Sequence, residues 1–163
     1  MNAADFPRLG FAESVERLAG MPEFLDAALV AVAPEDLLAR PGEGEFSLVE
    51  HACHLRDLER EGYLVRVRRT LSENCPDLQP FDGTAIAAAR DYGSQDPRAA
   101  ARDFAGTRRE VVALLQPLEA RELRREATFG GKRISLADIV AMMVEHDREH
   151  REEIERLMDS LEE

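Results

Sequence analysis

The chain of 163 residues carries 33 acidic against 21 basic side chains, a net charge of −12 and a pI near 4.8. That length suits one domain, residues 1–163, with a sizeable core, and a 44% hydrophobic, 33% charged composition is that of a folded globule and not of a disordered chain. The acidity argues against nucleic acid as a partner, because phosphates call for a basic stripe, and equally against an anionic membrane surface.

No apolar run approaches the ~18 residues of a spanning helix. The opening stretch MNAADFPRLGF has no cationic region leading into an apolar segment, so no signal peptide is expected. Cys53 and Cys75 lack CxxC spacing and read as reduced thiols of a cytoplasmic protein.

A first helix is predicted from about Phe11 to Val32, with Phe11, Val15, Leu18, Leu25 and Leu29 at helical spacing and Pro22 expected to kink or restart it. Pro34 and the Arg40–Gly44 segment break the chain. Ser47 followed by Glu50 is an S-x-x-E capping box, in which hydroxyl and carboxylate each satisfy a free amide of the first turn. The second helix therefore begins at Ser47 and runs to roughly Leu71, with Leu48, Ala52, Leu55, Leu58, Val65 and Leu71 near its inner side. Asn74 to Gly83 reads as a loop, followed by a short helical piece over Ala85–Arg90. Asp96 as N-cap and Pro97 at the first helical position start a third helix that reaches about Gln116. Gly130-Gly131 marks a turn or small hairpin, and Ser135 with Asp138 opens a fourth helix ending near Leu161. With no strong strand pattern, the expected class is all-α: four helices burying their apolar stripes as an antiparallel four-helix bundle.

All four histidines fall on the second and fourth helices. In the fourth, Leu136, Ile139, Val140, Met143, His146, His150, Ile154 and Leu157 form one stripe, so His146 and His150 face the core one above the other. Asp147 beside them is expected to face solvent. His54 lies about two turns, roughly 10 Å, into the second helix and can point inward. A buried imidazole needs a partner at both nitrogens, so these rings are either hydrogen-bonded core residues or ligands of a shared ion. Three inward histidines make the ion the more economical reading, with an open position of the kind found in catalytic sites. His51, about 60° round the helix from His54, is expected to take a supporting or surface role. Glu50 is explained by its cap. The Arg66-Val67-Arg68-Arg69 run reads as a solvated face, or as an attractor of anions. A di-iron bundle would need ExxH motifs, and none exists; HExxH, GxSxG and a phosphate loop are also absent.

Phe46-Ser47-Leu48-Val49-Glu50-His51-Ala52-Cys53-His54-Leu55 resembles the second-helix motif of the DinB/YfiT-like family, in which an aromatic residue and a serine open the helix. There the ligand histidine stands eight residues after the aromatic and is followed by leucine; His54 fits, and His51 does not. The stretch Leu136 to His150 is similar to the family's fourth-helix signature, and the Arg40–Gly44 lead-in and the Phe129-Gly130-Gly131 turn match too. The resemblance implies a bundle with a divalent metal, commonly nickel or zinc, held by His54, His146 and His150. It also implies a small-molecule substrate and, often, a homodimer. Characterised members of that family include transferases and isomerases that use a low-molecular-weight thiol such as mycothiol or bacillithiol. Phe46 stands where the family usually has Trp, which is expected to alter packing at the helix start and not the ligands. The readings in order are a metal-dependent enzyme, with thiol-dependent transfer ahead of hydrolysis, then a non-catalytic metal-binding stress-response module, then a metal-free dimer with mutually bonded histidines.

Overall fold

Side-chain caps set where the second, third and fourth long helices begin. The computed structural model describes residues 10–162; residues 1–9, most of the stretch read for a signal peptide, lie outside the described residues. Helix α1 (Phe11–Ala31) runs unbroken through Pro22, so the proline does not restart it. A 3₁₀ turn at Pro34–Asp36 leads to α2 (Leu48–Asp57), whose capping box is formed as the sequence predicts. Ser47 Oγ accepts from the Glu50 amide at 3.2 Å, and Glu50 Oε1 accepts from the Ser47 amide at 3.0 Å.

The second long helix is not uniformly α-helical. A π-helical stretch, Leu58–Tyr63, joins α2 to α3 (Leu64–Ser72). Its wider turn rotates everything downstream, so Val65, expected inside, is 41% exposed, while Leu64 and Val67 are buried. After β1 (Asp77–Leu78) come α4 (Gly83–Arg90) and α5 (Pro97–Leu115); Asp82 caps the first and Asp96 the second. A short α6 (Ala120–Leu123) precedes β2 (Glu126–Phe129), β3 (Lys132–Ser135) and α7 (Leu136–Leu161), the last opened by a reciprocal Ser135–Asp138 box.

The β2–β3 hairpin turns at Gly130 and Gly131, both at positive φ (59° and 78°), the conformation a two-residue turn of this twist requires. β1 adds to it in parallel, Asp77 opposite Thr128 and Leu78 opposite Phe129. Two residues between prolines carry no alternating pattern, which is why this strand has no signature in the sequence.

The four long helices make the expected bundle. α1 packs on α5 and α7, and α2 packs on the same two, so the first and second long helices lie diagonally across the bundle from each other, as do the third and fourth, whereas the second and third pack directly together. The core divides into two clusters. One holds Met21, Leu25, Phe104 and Ile154, and the other Leu18, Tyr63, Val111 and Met143. Between them every long helix contributes to a polar layer: the Leu18 carbonyl from α1, Glu59 from the π-helical stretch, Arg108 from α5, and Asp147 and the histidine pair from α7. Among the described residues no helix is long and apolar enough to cross a membrane.

Candidate metal centre

The two cap-defined helices bring all four imidazoles together. His51, His54 and His150 are buried and His146 is partly buried. His146 and His150, one turn apart on α7, place their Nε2 atoms 3.1 Å apart, and the His54 ring lies 4.9 Å from His150 and 5.6 Å from His146 between centroids. One nitrogen from each of the three lies within 4.8 Å of the others. Two nitrogens bound to a tetrahedral zinc at ~2.05 Å stand about 3.3 Å apart, so the His146–His150 spacing suits one ion. His54 Nδ1 is buried without a hydrogen-bond partner among the described residues.

Electrostatics favour ligand-ready rings. Burial disfavours the imidazolium and holds His51 and His54 down to about 4 and His146 to about 3; burial together with the neighbouring rings pushes His150 down as well. Neutral imidazole is the form that offers a lone pair to a cation.

Second contacts fix the rings in place. Phe46 stands 5.5 Å from both His51 and His54, and Tyr63 stands 6.0 Å from His146. The start of α4 presses against His54: a Cβ on Gly83 would come within 2.6 Å of His54 Cε1, so only glycine permits this approach. A cavity of about 280 Å³ opens onto the cluster, lined by Phe46, His51, His54, Thr84, His150 and Glu153. An ion pair, Arg156 with Glu45 at 2.7 Å, stands at this cavity.

The family model of the DinB superfamily matches residues 17–154. The chain belongs to the DinB superfamily. A structural likeness agrees: YfiT from Bacillus subtilis, described as a probable metal-dependent hydrolase with an unusual four-helix bundle topology, superposes with a TM-score of 0.86 over 95% of this chain and 92% of that one, at 21% identity. No curated protein matches the sequence.

In this DinB-superfamily chain the three residues picked out from the sequence, His54, His146 and His150, converge on one point. His51 is not a surface residue. It is 1% exposed, and its Nδ1 lies 2.9 Å from Nδ1 of His150, on the side of that ring away from His146. With His150 and Glu153 it forms a second group of three donors. Glu50 does not reach His54; its oxygens take two 2.8 Å hydrogen bonds from Arg40 and one from the Ser47 amide.

Two further expectations need correcting. Asp147 does not face solvent: it is buried and accepts from Arg108 at 2.6 and 3.0 Å, with Glu59 on the guanidinium's other edge at 2.8 and 2.9 Å. Its cationic partner is far away in sequence, so the helix pattern alone reads it as polar face. Arg66 is not part of a solvated run. It is buried over the rings of Tyr63 (5.3 Å) and Phe129 (4.8 Å), whereas Arg68 and Arg69 lie outside and pair with Glu110 and Glu73.

Proposed function

We propose that this protein is a divalent-metal-dependent enzyme acting on a small molecule, its ion held by His54, His146 and His150. The observation that carries the reading is a cluster of three neutral, convergent imidazoles that borders a cavity instead of being sealed in the core. Among the described residues no fourth His, Cys, Asp or Glu donor joins these three, as a catalytic and not a purely structural site requires. A divalent ion, zinc or nickel by the family resemblance, would lower the pKa of a small nucleophile toward neutrality. The residues of the chain do the rest. Phe46, Gly83 and Tyr63 hold the rings in orientation. Glu153, whose carboxyl is pushed up by burial, places an oxygen 3.9 Å from His51 Nε2 and from His150 Nδ1.

Two nucleophiles fit this arrangement. A low-molecular-weight thiol would make the protein a thiol-dependent transferase, as the resemblance implies. Water would make it a hydrolase, the reading favoured by the likeness to YfiT. Thermal unfolding of zinc- and nickel-loaded protein against a panel of cellular thiols separates them, because a ligand that binds only the folded state raises its apparent stability. A shift with one thiol that disappears in His54→Ala supports transfer. No shift with any thiol, together with metal-dependent hydrolysis of model esters or amides, supports hydrolysis. Absence of both overturns the enzymatic reading.

A further inference from the structure

Every nitrogen of His150 is spoken for. Nε2 faces His146 Nε2 at 3.1 Å, and Nδ1 faces His51 Nδ1 at 2.9 Å. A neutral imidazole carries one N–H and one lone pair, and two facing nitrogens at hydrogen-bond distance must share a single proton. The direction of one contact therefore dictates the other. If Nε2 of His150 gives its lone pair to an ion, its proton sits on Nδ1 and is donated to His51. His51 Nδ1 is then bare, and the His51 proton sits on Nε2, where Glu153 Oε2 lies 3.9 Å away.

We propose that His51 is a positioning residue for the metal centre, accepting the Nδ1–H of His150 and so aiming the Nε2 lone pair of His150 at the point shared with His54 and His146. The inference rests on the metal-binding reading above. Sequence spacing explains the geometry: His51 and His54 are three residues apart on α2, one ring reaching the far edge of His150 and the other the near edge. His51 itself is fixed by the cap of α2, by near-complete burial and by the edge of Phe46, with its ring perpendicular to that of His150 at 5.1 Å. Glu153 completes the line, and its oxygen is also 3.9 Å from His150 Nδ1. The same atoms form the second donor group, so the two uses exclude each other: His150 Nδ1 holds either a proton for His51 or an ion shared with His51 and Glu153.

The test is long-range ¹H–¹⁵N correlation on histidine-labelled, zinc-loaded protein, paired with zinc competition against a chelator. The expected spectrum shows His150 bound through Nε2 and protonated on Nδ1, and His51 protonated on Nε2. Orienting partners of this type are worth about 10–100-fold in metal affinity. His51→Phe, which cannot accept, should weaken zinc binding by that factor, and His51→Asn, whose carbonyl can stand where Nδ1 was, should recover most of it. A His51 proton on Nδ1, zinc bound through Nδ1 of His150, or affinity in His51→Phe within threefold of the unmodified protein overturns the proposal while leaving the metal centre intact. Failure of the unmodified protein to bind zinc at all overturns both. The tautomers are measured on the unmodified protein, so they decide the matter even if His51→Phe does not fold.

Discussion

Arg108→Met removes the cation at the centre of the bundle. Arg108 is 1% exposed, and its five N–H donors are all used: two on Glu59, two on Asp147 and one on the Leu18 carbonyl. Without it two carboxylates remain in the polar layer with no counter-charge. Breaking such a cluster by removing one partner costs about 3–5 kcal/mol, because the charges left behind stay desolvated. Against a total stability of roughly 5–15 kcal/mol this is a large share. At about 2–4 °C per kcal/mol for a chain of this size, Tm should fall by roughly 6–20 °C. Burial already pushes the Glu59 carboxyl above its ordinary value, and loss of Arg108 pushes it further. The folded variant then binds protons that the unfolded chain does not, so its deficit relative to the unmodified protein shrinks as pH falls from about 7 to about 5.5. Replacing all three charges, as Glu59→Leu, Arg108→Met and Asp147→Leu together, should restore stability to within about 2 kcal/mol. Urea unfolding followed by circular dichroism measures each quantity. A single Arg108→Met variant within about 1 kcal/mol of the unmodified protein, with no pH dependence of the difference, would refute the reasoning.

Other outcomes follow from the same structure. Gly83→Ala drives a methyl group into the His54 ring and should weaken zinc binding at least tenfold in a chelator competition, with a stability cost of about 1–3 kcal/mol in urea unfolding. The metal-free protein should lose stability as pH falls from about 6.5 toward 4. Burial keeps the folded histidines neutral while the unfolded chain takes up protons, a loss of roughly 2 kcal/mol by about pH 5 for His51 alone. A urea midpoint that stays flat between about pH 7 and 5 would contradict this. Ser47→Ala removes the cap that sets the start of α2 and should lower stability by about 1 kcal/mol, read as a Tm drop of about 2–4 °C.

What the sequence reveals is whatever local chemistry writes into it. Ser47 with Glu50, Asp96 with Pro97, and Ser135 with Asp138 mark helix starts because capping uses residues three or fewer apart. Once those starts are known, the 3.6-residue period places His54, His146 and His150 on inward faces. The parts that could not be read are those decided across the bundle. The π-helical stretch after Asp57 has no sequence signature, and it alone turns Val65 outward. Asp147 reads as surface until Arg108 is brought opposite it from α5, and His51 reads as supporting or surface, without a partner to decide between them, until α7 places His150 Nδ1 against it. Arg66 sits in what looks like a charged run, yet the Phe129 ring that covers it comes from the hairpin. For Asp147, His51 and Arg66 a partner lies on another element, and the residue pattern along one helix carries no record of it.

The central claim is that His54, His146 and His150 hold one divalent ion, and elemental analysis tests it most directly. Untagged protein would be supplemented with zinc or nickel, desalted and analysed beside a His54→Ala, His146→Ala double variant shown by circular dichroism to be folded. About one equivalent of metal per chain is expected in the unmodified protein and almost none in the variant. Clearly sub-stoichiometric metal in the unmodified protein, or equal retention by both, would contradict the claim.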